Sequence, residues 1–169
     1  RPINFFVQGF RAMGAKITKQ KQGYVFSAPN GLHGTRINFP NMSVTATETL
    51  MMAAIRARGT TILHNVALEP EVVRLTEQLV SFGAHITGAG TPTITIHGSR
   101  LLHGGTVQTM PDRIEAGSFV ILAAATRSHL VIRNVNPRVL DVPLTVLSDI
   151  GVPIHVRSNS IEVKPSKHL

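Results

Sequence analysis

The 169-residue chain is 43% hydrophobic without a long apolar run, which marks a globular protein rather than a disordered or membrane-spanning one. Lys and Arg (17) outnumber Asp and Glu (9), a formal net charge of +8 that favours anionic partners, and the lack of cysteine excludes disulfides, thiolate metal sites and a cysteine nucleophile within these residues. The basic residues are dispersed, and one Tyr with no Trp leaves little for a base-stacking platform, so nucleic acid is not the expected partner.

From the amino end, Phe5, Phe6, Phe10 and Met13 read as the buried side of a strand-to-helix passage ending at Gly14. Residues 15–18 and 24–28 flank 19–23 as a hairpin, and 31–34 turn the chain into a strand over 36–39. Pro40-Asn41 stops that strand ahead of Ser43, after which Leu50, Met51, Ala54 and Ile55 recur at the spacing of an amphipathic helix. Gly59 ends the helix, and the β-branched stretch 60–66 predicts a strand. Glu69-Pro70-Glu71 then puts a proline and two acids where a helix begins. Val72, Val73, Leu79 and Val80 are its expected inner face, Arg74, Glu77, Gln78 and Ser81 its outer one, and Gly83 its left-handed stop. Residues 85–87 and 93–96 flank Gly88-Ala89-Gly90 as a second hairpin.

The same order returns from Pro111: a helix over 114–125, a strand over 129–135, a helix ending at Gly151, and a hairpin over 154–163 around Ser158-Asn159. Asn65-Val66 recurs 69 positions on as Asn134-Val135, Gly83 recurs 68 on as Gly151, and Gly14 precedes Gly83 by 69. Such a period is too long for a solenoid, so each copy is a small α/β layer packing on its neighbours. Three copies are legible, the first incomplete, and a start at Arg1-Pro2 in mid-copy leads us to expect an internal segment of a longer protein.

Ser43-Val44-Thr45, between a strand and a helix, is the strongest anion-site candidate, because first-turn N–H groups and the helix dipole both favour a negative group there. Ordinary capping competes with that reading, since Thr45 and Glu48 stand at capping-box spacing. Asp112 and Glu115, at the equivalent start in the next copy, read as helix caps; Glu69 and Glu71, two apart, diverge rather than form an acid–base pair. No two histidines share the i, i+4 spacing of helical metal ligands, and Gly88-Ala89-Gly90 lies between two strands, unlike a dinucleotide loop.

Arg1-Pro2-Ile3-Asn4, Ser43-Val44-Thr45-Ala46-Thr47, Gly59-Thr60-Thr61, Asn65-Val66-Ala67, Glu69-Pro70-Glu71-Val72-Val73 and Pro111-Asp112-Arg113-Ile114-Glu115-Ala116-Gly117-Ser118-Phe119 stand in an order and spacing that resembles the enolpyruvyl-transferase family, at its UDP-N-acetylglucosamine 1-carboxyvinyltransferase branch. The resemblance spans nearly the whole chain. It implies an α/β (α+β) fold of βαβαββ repeats, here one partial and two nearly complete copies. Residues 1–110 would finish a UDP-sugar-binding domain (partial repeat 1–42, full repeat 43–110), and 111–169 would open the second domain. It further implies transfer of the enolpyruvyl group of phosphoenolpyruvate to the 3′-hydroxyl of UDP-N-acetylglucosamine, in peptidoglycan synthesis in the bacterial cytoplasm. No metal or organic cofactor and no membrane partner are implied, and the flanking parts of the same enzyme are the expected protein partner.

Carried over residue by residue, the resemblance makes Arg1 a catalytic and phosphate-facing guanidinium, suited to an anionic transition state. Pro2, Ile3, Asn4 and Phe5 match the segment that holds the uracil end of the nucleotide sugar, and Ser43, Val44 and Thr45 match the diphosphate-binding helix start. Three departures weigh against affinity: Asn4 stands for a common acid, Asn41 for a lysine and Thr45 for a glycine. The family's catalytic loop would precede Arg1 and its late aspartate and arginine would follow Leu169, so this chain alone is expected to be inactive. A related transferase acting on shikimate 3-phosphate and a non-enzymatic basic binding module are the alternatives.

Overall fold

A computed structural model describes residues 3–99 and 101–166. The chain divides into two compact units, residues 1–108 and 109–169, each with its own core.

The first unit opens with helix α1 (Asn4–Ala12), followed by strands β1 (Lys16–Gln20) and β2 (Gly23–Ser27), which pair antiparallel. The expected strand-to-helix passage is corrected here. The backbone is helical from Asn4, because Phe6, Phe10 and Met13 recur at helical spacing and pack on one core, where Met13 is fully buried. Next come β3 (Arg36–Asn38), α2 (Val44–Ala54), β4 (Thr60–His64), α3 (Pro70–Ser81), β5 (His85–Thr87) and β6 (Thr93–His97), a complete βαβαββ order. They form a sheet ordered β3-β4-β6-β5, with β3 and β4 parallel and the other pairs antiparallel. The complete copy thus takes its opening strand from before Ser43.

α2 lies against that sheet through Leu50, Met51 and Ala54, fully buried as their spacing predicts, and through Ala46 one turn earlier. α1 comes close to it at Gly9, where a side chain would meet Leu50. α3 buries a narrower stripe than expected: Val72 and Thr76 are buried with Leu75 and Leu79 packed beside them, while Val80 is exposed. Val73 and Val80 lie about a quarter turn from that stripe. Thr76 is admitted to the core because its hydroxyl donates to the Val72 carbonyl, 2.9 Å away.

The second unit repeats the pattern with α4 (Arg113–Ala125), β7 (Leu130–Arg133), a 3₁₀ turn (Pro137–Leu140), α5 (Asp141–Asp149), β8 (Ile154–Val156) and β9 (Ser160–Val163). Its sheet is ordered β7-β9-β8, all antiparallel. Its core includes Val120, Ala123, Leu140, Leu144, Ile161 and Val163.

The landmarks that set the sequence register are matched in backbone conformation. Gly14, Gly83 and Gly151 take φ of 92°, 93° and 93°, and Asn65 and Asn134 take 56° and 57°. Each of these glycines ends a helix in the same double hydrogen bond. Its own N–H donates three residues back, and the next N–H, of Ala15, Ala84 or Val152, donates five back at 2.9–3.0 Å.

Two of these glycines differ in the space around them. A Cβ at Gly83 would lie 2.9 Å from the Leu101 carbonyl oxygen, whereas at Gly151 nothing lies within 4 Å. Gly151→Ala is therefore expected to cost about 1–2 kcal/mol of its unit's stability, from the left-handed backbone alone. Gly83→Ala should cost roughly 1–3 kcal/mol more through overpacking. Hydrogen exchange resolved by unit checks the order, and equal losses would refute it.

Candidate anion site at a helix start

The candidate site is built at the carboxyl ends of the parallel pair β3 and β4, the end from which crossover helices begin and where open α/β sheets bind ligands. Ser43 is the N-cap of α2, with an extended backbone (φ −148°, ψ 115°), and its Oγ accepts from the Ala46 N–H at 3.4 Å. The capping-box reading of Thr45 and Glu48 is thereby corrected, because Thr45 lies inside the helix and the cap sits two residues earlier. Among the described residues the N–H groups of Val44 and Thr45 find no protein acceptor, and Thr45 is exposed. The site therefore presents unpaired donors at the positive end of an 11-residue helix.

Three contacts fix the geometry. The Thr47 Oγ1, fully buried, accepts from the Ala67 N–H at 3.2 Å, which ties the first turn of α2 to the segment after β4. Asn65 takes a left-handed backbone and donates its side-chain amide to the Phe39 carbonyl at 2.8 Å, holding the end of β3. The Phe5 ring meets the Phe39 ring edge-on, centroids 6.2 Å apart. Since Phe39 and Ser43 are four residues apart, about 14 Å at full extension, the first turn of α1 and the first turn of α2 belong to one end of the unit. The ring contact ties Phe5, in the first turn of α1, to the end of β3, from which the chain runs on to Ser43. Arg1 and Pro2 lie outside the described residues.

The repeat supplies an internal comparison. Asp112 stands 69 positions after Ser43 and caps α4, its Oδ1 accepting from the N–H groups of Ile114 (2.8 Å) and Glu115 (3.1 Å). There a carboxylate takes up both the open donors and the dipole's preference for negative charge. The neutral hydroxyl of Ser43 leaves both available.

Sequence reading missed the carboxylates that gather between α2 and the start of α3. Burial, then the charges of Glu71 and Glu69, push the Glu48 carboxyl above its usual range. Only i, i+4 spacings are visible in sequence; this convergence comes from α2 packing beside the start of α3.

The whole chain, residues 1–169, matches the family described as EPSP synthase (3-phosphoshikimate 1-carboxyvinyltransferase). The chain belongs to the EPSP synthase family. Within the family's wider relations it is 48% identical over 167 residues to a UDP-N-acetylglucosamine 1-carboxyvinyltransferase of Geotalea daltonii, covering 99% of this chain and 40% of that protein. It is 41% identical over 165 residues to the Bartonella quintana protein of the same name, covering 97% and 38%. In structure it resembles the enolpyruvyl transferase NikO from Streptomyces tendae, with a TM-score of 0.84 at 22% identity, over 99% of this chain and 43% of that one. The EPSP synthase-family chain thus has the enolpyruvyl-transferase fold, and it spans about two fifths of the length of the curated relatives it matches. Among the described residues no helix is long and apolar enough to cross a membrane.

The raised Glu48 group has a pH consequence. Its folded-state pKa exceeds the unfolded value, so the ionised form is penalised in the native state. That penalty is present above the folded pKa and is relieved as pH falls through it. Glu48→Gln is expected to raise the melting temperature at neutral pH and to lose this advantage in acid, once Glu48 itself is protonated. A gain that is the same at every pH would refute the titration.

Proposed function

We propose that this chain is part of a UDP-N-acetylglucosamine 1-carboxyvinyltransferase, which moves the enolpyruvyl group of phosphoenolpyruvate to the 3′-hydroxyl of UDP-N-acetylglucosamine and releases phosphate. The observation that carries the reading is 48% identity over 167 residues to a protein of that name. In this reading residues 1–110 finish the UDP-sugar-binding domain, its complete repeat opening at β3 rather than at Ser43, and residues 111–169 open the second domain. The process served is peptidoglycan synthesis in the bacterial cytoplasm, and thereby cell shape and division.

The diphosphate is assigned to the start of α2. Open N–H donors of Val44 and Thr45, the Ser43 hydroxyl and the helix dipole all favour a doubly charged, acceptor-only group. Ile3, Asn4 and Phe5, with Pro2, are assigned to the uracil end, and Arg1 to the phosphate and the developing anion of the reacting centre. The groups that complete that centre are assigned to other parts of the enzyme, so the isolated chain binds without turning over.

Calorimetric titration with UDP-N-acetylglucosamine tests this, with UDP and shikimate 3-phosphate as comparisons. Saturable binding is expected, with the nucleotide sugar preferred. Ser43→Asp, which copies the cap at Asp112, is expected to abolish binding while keeping the helix at least as stable. Asn41→Lys is expected to tighten binding about tenfold, roughly 1.4 kcal/mol, through a charge-assisted contact. Preference for shikimate 3-phosphate, undiminished binding by Ser43→Asp, or phosphate release by the chain alone would each overturn part of the reading.

A further inference from the structure

The second unit's sheet turns one face outward, carrying Val131 and Arg133 on β7, Ser160 and Glu162 on β9, and His155 on β8. Across this face three residues stand in a row. Arg133 is directly opposite Ser160 in the β7–β9 pairing, and Arg157 donates its backbone N–H to the Ser160 carbonyl at 2.9 Å where the β8–β9 hairpin closes. Directly opposed residues share a face with Cβ atoms about 5 Å apart, so two guanidinium side chains flank one serine hydroxyl with their Cβ atoms roughly 10 Å apart. That span lets both forks converge on a ligand of a few ångströms.

A cleft of about 590 Å³ lies there, lined by Val131, Arg133, Asn134, Arg157, Asn159, Ser160 and Glu162. Among the described residues neither arginine side chain has a hydrogen-bond or ion-pair partner. The one carboxylate in the lining is engaged: Glu162 Oε1 lies 3.0 Å from His129 Nε2, at the Val131 end of the pairing and away from the arginine row. Two guanidiniums, two primary amides and a hydroxyl make the rest of the lining rich in donors, the complement of a phosphate, which only accepts.

The first unit shows that the fold does not require this row. The residue paired as Arg133 is paired is His64, opposite Thr93, and its Nδ1 sits 3.1 Å from the Thr93 Oγ1, so the pair is closed on itself. The hairpin position matching Arg157, 68 residues earlier, is Ala89. The complete copy of the first unit thus builds the same framework without these arginines.

We propose that the Arg133–Ser160–Arg157 row is a binding site for a small phosphate-type oxyanion, independent of the helix start at Ser43. The test is a titration of the isotope-labelled 169-residue chain with sodium pyrophosphate, followed by amide chemical shifts at constant ionic strength. Ser43→Asp is introduced throughout to silence the other anion site. Saturable shifts are expected at residues 133–135 and 157–160, with none around His64. Arg133→Gln and Arg157→Gln should each weaken binding about tenfold or more, and Arg157→Lys should also weaken it, because an ammonium lacks the fork. Shifts that grow without saturation, or that persist in the double Gln variant, would overturn the proposal. Tighter, steeply salt-dependent binding of a short DNA duplex at the same amides would also overturn it, in favour of an extended polyanion surface.

Discussion

Every helix-to-hairpin return in this protein depends on one residue in the left-handed region. At Gly14, Gly83 and Gly151 the backbone takes φ near 92°, and two hydrogen bonds close the last helical turn around it. A residue with a Cβ pays steric energy for that conformation, so glycine fixes the place. The residue that follows, Ala15, Ala84 or Val152, is buried in each case. Three positions beyond the glycine come Ile17, Ile86 and Ile154, which set the inward phase of the hairpin. Because side chains alternate along a strand, a slip of one residue here would turn each strand's apolar set outward. The glycine therefore fixes register as well as direction.

The two left-handed asparagines work at the opposite end of the layer. Asn65 uses its side-chain amide to hold the Phe39 carbonyl, so the ends of β3 and β4 are fixed together where α2 and α3 begin. Its twin Asn134 takes the same backbone conformation but lines a cleft instead. The same contrast recurs at the helix starts, Ser43 against Asp112, and on the outer sheet faces, His64 with Thr93 against Arg133 with Ser160. The left-handed positions keep their residue type between copies, while the caps and the outer sheet faces have diverged.

This division explains what the sequence made legible. The helices α2 to α5, the two later hairpins and the repeat itself follow from period, glycine and proline, all local signals. Phe5, Phe6, Phe10 and Met13 read in sequence as a strand-to-helix passage, and only the packing of Phe6, Phe10 and Met13 on one core decides for a helix from Asn4. Val80 reads as part of the inner face of α3, yet the width of a buried stripe depends on how the neighbouring layer meets the helix. The helix start at Ser43 was visible as a candidate, but its difference from Asp112 lies in hydrogen bonds that spacing does not encode. Glu48 and the pair Glu69 and Glu71 are about twenty positions apart, and Arg133 and Arg157 lie 24 apart, so each grouping exists only once the sheet register is known.

The candidate site also depends on a residue that faces away from any ligand. Thr47 is fully buried on α2, and its hydroxyl oxygen accepts from the Ala67 N–H. Without it that buried donor would be left unsatisfied, at a cost of about 1–3 kcal/mol. The matching position on α4 is Ala116, which has no hydroxyl to offer. An open helix start gains affinity only if its donors are already aimed before the anion arrives, since ordering them on binding would consume part of the interaction. In α4 the Asp112 carboxylate orders the first turn itself; in α2 the cap is a single long hydrogen bond, and the restraint comes from within the core instead. A turn held from its buried side can leave its exposed side unpaired, which is the condition a helix start must meet to receive a phosphate.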